Sequence, residues 1–324
     1  MRTRIGVAIG ILAVAAGVAY WVQRGPSLRP DAIDNAPEGT VAIARMDVDA
    51  VLGSVLWRRF VVDRGGDQGL RRLREQCGFD PTAQIDELSA FVLGEAESLE
   101  HVVFAARGPL DAEALGTCMQ QVMREDGGGI RETEVAGVPA LAGLRGESRI
   151  AMLGRSGVLF GRRAALTSVI ANLRGEPHRD AELNELWRDL APDGAPRRDI
   201  ELVARIPDHW RPWFEQLRLP PEGRSVVSEV LANLRAIGAG ARVSRGLAFG
   251  IVLRYAEPAD ARRVADMLSA QRERLLSSVM VSLSPAGPAL RAIALEAEGS
   301  QLTIAADLDQ ERVDRLIELY ESLQ

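Results

Sequence analysis

The chain contains no lysine; all 39 of its basic residues are arginine. Without a lysine no Walker phosphate loop can be completed, since that motif needs its GK[ST] end to reach the nucleotide phosphates. Histidine is nearly as scarce. His101, His178 and His209 are the only three, none stands near a cysteine, and no two have metal-ligand spacing, so no zinc motif is announced. There is no GxSxG elbow for serine hydrolysis. Two cysteines, Cys77 and Cys118, occur without a CxxC pair, which excludes a dithiol redox motif. Neither lies near the N-terminus, which excludes lipid attachment there. Aromatic residues make up only 5% of the chain. The all-arginine usage, with abundant Ala, Gly and Leu, reads as coding bias. The doublets Arg71 with Arg72, Arg162 with Arg163, Arg197 with Arg198 and Arg262 with Arg263 then read as solvated faces, not anion sites.

One stretch lacks charge altogether. Residues 5–22 (IGVAIGILAVAAGVAYWV) carry no charged side chain and follow Arg2 and Arg4. As a helix they would rise about 27 Å, close to the roughly 30 Å hydrocarbon core of a bilayer. The leading arginines fit an N-terminus kept in the cytoplasm. Gly17 and Ala19 offer a cleavage site for a signal peptide, but the run continues past them to Tyr20, Trp21 and Val22, an aromatic end suited to a membrane interface. Residues 1–24 are thus read as a transmembrane anchor, or as a signal segment if cleaved near residue 19. The formal charge of the whole chain is −6, and residues 1–24 hold three arginines and no acid, so the remaining body is more acidic still. Such a body argues against nucleic acid as a partner.

Residues 25–38 form a Pro-rich stretch that reads as an extended linker. Beyond it a pattern recurs: an apolar strand, a turn holding aspartate, then an amphipathic helix. It appears at 41–60, 101–123, 201–217 and 302–320, more loosely at 249–268. Asp49, Asp111, Asp208 and Asp309 stand where helix N-caps belong, and Pro258 suits a first helical turn. Hairpins link these units at 90–107, 149–162, 237–255 and 291–307. The 149–162 runs are apolar on both faces and should be central and covered. Hairpins imply antiparallel pairing, so the fold class expected is α+β: two related halves of antiparallel sheet packed with helices, 39–190 and 198–324, separated by the loop-like APDGAPRR.

Few residues could carry chemistry. Asp47/Asp49, Asp86/Glu87 and Glu296/Glu298 are paired carboxylates, but an acidic surface explains them. Gly238-Ala239-Gly240 begins like a dinucleotide-binding loop but leads into strand-like sequence, where a phosphate site needs a helix N-terminus. Cys77 and Cys118 could pair outside the cytoplasm or remain buried thiols. Trp210, Trp213 and Phe214 form the densest aromatic site of the body, a core anchor or a partner surface. No metal and no cofactor is implied.

The opening of the body, DNAPEGTVAIARMDVDAVLG, with CGFDPTAQIDELSAFVLG at 77–94, resembles exported bacterial proteins of unknown function. Those have an apolar N-terminal segment, a Pro-rich spacer, then a strand leading into an Asp-capped helix. The likeness covers about the first hundred residues and implies location alone. The expected function is that of a single-pass envelope protein, its body outside the cytoplasm, acting through binding or assembly on an envelope protein partner. A secreted or periplasmic carrier of an apolar ligand or lipid is the alternative, and an enzyme with dispersed catalytic residues is a third.

Overall fold

The computed structural model describes residues 26–94, 101–125, 129–143, 146–154, 157–190, 197–208 and 221–322. Within them lie twelve strands: β1 Thr40–Asp47, β2 Glu87–Leu93, β3 Val102–Arg107, β4 Ile130–Val135, β5 Val138–Gly143, β6 Ser148–Met152, β7 Gly157–Arg162, β8 Ile200–Arg205, β9 Leu234–Arg242, β10 Leu247–Tyr255, β11 Ala294–Glu298 and β12 Gln301–Leu308. They form one sheet in the order β11-β12-β10-β9-β8-β1-β2-β3-β7-β6-β5-β4. Every neighbouring pair is antiparallel. The expected α+β class with antiparallel sheet is therefore what the chain adopts. The sheet runs unbroken from one half to the other, because β1 pairs with β8.

The described residues also include eleven α-helices: α1 Val48–Leu52, α2 Val55–Trp57, α3 Gln68–Cys77, α4 Ala112–Glu125, α5 Arg163–Arg174, α6 Ala181–Leu190, α7 Pro221–Leu231, α8 Pro258–Ser277, α9 Val279–Leu283, α10 Ala286–Ala292 and α11 Gln310–Ser322. No helix among them is long and apolar enough to cross a membrane. The segment 5–22 lies outside the described residues.

The sheet's first face carries the main core. Register places Ile43, Phe91, Val103, Leu159 and Val203 on that face, all fully buried. Two helices cover it because their apolar residues recur at helical spacing: Ala165, Leu166, Val169, Ile170 and Leu173 in α5, and Leu183, Leu186, Trp187 and Leu190 in α6. Asp180 caps α6, accepting from the backbone N–H groups of Glu182 and Leu183.

On the second face, the C-terminal half is covered. Ile237, Ile251, Leu253, Leu302 and Ile304 pack beneath α7 and α8 with Val264 and Leu268. At the other end of the same strands, Leu247 and Leu308 meet Val55, Leu56, Ala289, Val313 and Ile317 from α2, α10 and α11.

Several sequence expectations need correction. The 25–38 stretch is no free spacer from Leu28 onward. Ala32, Ile33 and Ala36 are buried against the core in a 3-10 turn, Ala32–Asn35. Arg29 donates to the carbonyls of Asn172 and Gly175 at the end of α5, and Asp34 pairs with Arg179. Buried Leu28, Ala32, Ile33 and Ala36 outweigh the linker-like composition. The cap of α1 is Asp47, which accepts from Ala50 N–H at 2.9 Å; Asp49 sits in the first turn. The helix expected through residue 60 breaks at Gly53 and restarts with Ser54 as a second cap. Asp111 and Asp309 do cap α4 and α11, while the helix expected after Asp208 lies outside the described residues. Ile293 ends α10 instead of entering β11, although Leu295 does face Ile304.

Candidate functional site

Ionisable groups concentrate where the two halves join. Arg45 on β1 lies opposite Glu201 on β8 and Ser89 on β2. Its Nε donates to Glu87 Oε2 at 2.6 Å, and its Nη1 donates to the Arg198 carbonyl at 2.9 Å and to Glu201 Oε2 at 3.4 Å. Glu87 Oε2 also accepts from Arg107 Nη2 at 3.0 Å, and its Oε1 from Ser89 at 3.4 Å. The Arg45, Glu87 and Glu201 side chains are 6, 3 and 3% exposed. Burial works against the Arg45 charge, yet the hydrogen bond and charge of Glu87, with Glu201 behind it, outweigh burial and raise the guanidinium above its ordinary value. Burial pushes the Glu201 carboxyl up, only partly countered by Arg45. The cluster is closed and each charge faces its opposite. It ties β8, β1, β2 and β3 together and offers no open position to a substrate.

Arg198 extends this polar row. It is half-buried, not on the solvated face expected of the Arg197/Arg198 doublet. Its Nε donates to the Leu190 carbonyl at 2.8 Å and its Nη1 to the Gly240 carbonyl at 3.2 Å. Gly240 and Gly250 face each other on β9 and β10 beneath it. A Cβ on Gly240 would stand 2.2 Å from Arg198 Cδ, and one on Gly250 2.9 Å from Nη2. Gly238 likewise lies under Leu190. The Gly-Ala-Gly run therefore admits a covering helix and an arginine strap, not a phosphate. Burial, with repulsion from Arg242, lowers the Arg198 guanidinium from its ordinary value.

A polar cleft of about 340 Å³ opens between residues 55–63 and α11, lined by Arg58, Arg59, Asp63, Asp314 and Glu318 with Val55 and Ile317. Beside it Phe60 and Tyr320 meet at 5.7 Å, with Arg64 over both rings. Its charges are of both signs and do not converge on one point.

Cys77, the last residue of α3, and Cys118 of α4 form a disulfide with Cα atoms 4.7 Å apart. His101 and His178 are exposed, and His209, Trp210, Trp213 and Phe214 lie outside the described residues. Glu296 and Glu298 sit on the edge strand β11. Among the described residues no group of His, Cys, Asp or Glu could hold a metal ion.

Sequence reasoning missed the apolar groups that face outward. On the second face, register runs Ala44, Ala90, Phe104, Phe160 across β1, β2, β3 and β7. Phe104 and Phe160 are 48 and 45% exposed, with ring centroids 6.4 Å apart. The 149–162 hairpin is thus interior in the sheet, but Phe160 on its second face is open while Ile150, Met152 and Val158 beside it are half-buried, less than the full covering expected from its two-sided apolarity. The other outward group is the tip formed by the end of α8 and by α9, where Leu275, Val279, Met280 and Leu283 are exposed.

No family model matches the chain, and no curated protein matches it. Its fold is similar to that of TP0453. Crystal form III of TP0453 aligns with a TM-score of 0.54 at 12% identity, covering 91% of this chain and 99% of that one. Crystal form I aligns with a TM-score of 0.51 at 13% identity, covering 91% and 98%. At such identity the likeness bears on the fold alone.

Proposed function

We propose that this chain is an envelope protein tethered to a membrane through residues 5–22, whose body lies outside the cytoplasm and acts by binding or assembly, not by chemistry. One contrast carries the reading. The buried charges of Arg45, Glu87 and Glu201 satisfy one another, whereas among the described residues Phe104 and Phe160 are left facing outward on the sheet. Exposed paired aromatics on a rigid face suit an apolar partner. We infer further that 39–190 and 198–324 are related halves. In support, each lays down its first three strands in chain order outward from the β1–β8 junction, then meets the third with the second strand of a later hairpin, β7 or β12.

The tether is tested by carbonate washing of membranes carrying the full chain: retention is expected, and release would overturn it. The binding face is tested by a photoreactive residue at 104, with exposed Thr167 as control. Adducts at 104 but not at 167 are expected; equal yields sink the proposal. The same apolar floor favours a second reading, a carrier of an apolar ligand or lipid, secreted if residues 1 to about 19 are cleaved. That reading requires lipid in an organic extract of the purified protein, and a lipid-free extract removes it.

A further inference from the structure

Among the described residues nothing covers the outward apolar side chains at the tip formed by the end of α8 and by α9. α8 begins against the sheet at Asp260, Ala261 and Val264, its only buried residues. Its 20 residues rise about 30 Å. It runs along β10, β12 and β11 to the strand ends where α10 turns back into β11. There Val279, Met280 and Leu283 are 72, 85 and 83% exposed, with Leu275 beside them. The sequence from Leu275 to Leu290 (LLSSVMVSLSPAGPAL) contains no charge, and arginines bracket it: Arg272 and Arg274 before, Arg291 after. Glu273 is the one acid of that collar. Two of the arginines also fix the tip's shape. Arg272 Nη1 donates to the Ile293 carbonyl at 2.6 Å, and Arg291 Nη2 to Ser282 Oγ at 2.9 Å.

We propose that this tip inserts into the headgroup region of an anionic lipid bilayer. Three observations single out lipid. The tip turns Leu275, Val279, Met280 and Leu283 outward together, and a fluid surface accommodates such a group without a matching groove. Its collar is basic on an otherwise acidic body, so anionic headgroups attract the tip and repel the rest, which orients the approach. Long arginine side chains can lie along the apolar surface while their guanidinium groups stay among the headgroups. The chain also enters the body at the same strand ends, where Pro30 and Asp31 contact Arg197 just before β8. A membrane holding residues 5–22 would therefore lie at the strand ends that carry the tip. The proposal takes the position of the body from the tether reading above, but the tip's chemistry stands without it.

The test uses the full chain in vesicles of phosphatidylcholine and phosphatidylglycerol at 3:1. Met280→Cys supplies a thiol for an environment-sensitive fluorophore, with Arg262→Cys at the start of α8 as the solvent-facing control. The expected result is blue-shifted emission at 280, quenched severalfold more by spin-labelled lipid than at 262. Emission at 280 matching the control overturns the insertion, even if carbonate washing shows the chain retained by its N-terminal segment. A blue shift that spin-labelled lipid cannot quench also overturns it, since the tip would then be covered by protein. If the tether fails and the chain is released, tip binding alone should hold it to these vesicles, and Met280→Asp with Leu283→Asp should abolish that binding. Equal vesicle binding by the doubly substituted chain would refute the tip.

Discussion

The two halves of the sheet treat their second face differently. In the C-terminal half α7 and α8 close over Ile237, Leu253 and Leu302 and make a second core. In the N-terminal half the corresponding strands leave Phe104 and Phe160 open to solvent. The helices available there explain the difference. α3 (QGLRRLREQC) has no buried residue, so it has almost no apolar surface with which to hold itself down. It is fastened by other means: the disulfide to α4, and Arg74 and Thr82 on Asp80. A helix with a buried stripe is held by packing, whereas one without it needs a covalent bond or charge.

The first prediction sets the two faces against each other. Phe91 is buried on the covered face and Phe104 lies open on the other. Phe91→Ala should lower unfolding free energy by about 3–5 kcal/mol, as expected for truncating a core phenylalanine. Phe104→Ala should cost less than about 1 kcal/mol. Urea unfolding of both variants decides it, and a Phe104→Ala loss as large as that of Phe91→Ala would mean that something covers the open face.

The junction between the halves is the next place to break the comparison. Glu87→Gln leaves Arg45 and Arg107 facing each other without their shared carboxylate, and removing one partner of a buried pair costs about 3–5 kcal/mol. Glu201→Gln should cost clearly less, because burial already penalises its charge. The sign also fixes the pH response. A carboxyl raised in the folded state contributes stability that is full below its unfolded value and is lost as pH rises through the folded one. The gap between wild type and Glu201→Gln should therefore move in the variant's favour as pH climbs out of the carboxylate range. A gap that instead widens against the variant with rising pH would sink this account.

Local patterns in the sequence are enough to place the hairpins at 90–107, 149–162, 237–255 and 291–307 and the caps at Asp111 and Asp309, though not the β4–β5 hairpin, because turn residues and periodicity act over a few residues. What they do not encode is which strands meet after long detours. The β1–β8 and β3–β7 pairs join residues fifty or more apart, and the choice is made by burial of a whole face. The same applies to Arg198: its role depends on Gly240 and Gly250 lying across two neighbouring strands. The uncharged run at 275–283 carries no signal of its exposure, since a buried and a protruding helix share that composition.

The disulfide gives the third test. Its loop spans 41 residues, for which the chain-entropy model gives about 3–4 kcal/mol. Because α3 and α4 have little contact with the sheet beyond each other, Cys118→Ser should loosen this corner more than the whole. Hydrogen exchange should rise across α3 and α4 while α5 and α6 stay protected. Uniform loss of protection would show that the staple serves the entire fold.

The smallest effect belongs to Asp80, which holds the turn after α3. Burial pushes its carboxyl up, but hydrogen bonds donated by Thr82 and Arg74 outweigh burial and hold it below the ordinary aspartate value. A carboxyl lowered in the folded state contributes stability above its unfolded value and loses it as pH falls through the folded one. The side chain is 36% exposed, so solvent screens the pair and Asp80→Asn should cost under about 1 kcal/mol at neutral pH. That cost should vanish on acidification below the usual aspartate range, about pH 3–4. A cost that persists undiminished in acid would show that the turn depends on the shape of Asp80 and not on its charge. In that case the N-terminal half would be left with the disulfide as the fastening of α3 that distinguishes it from the helices packed over the C-terminal half.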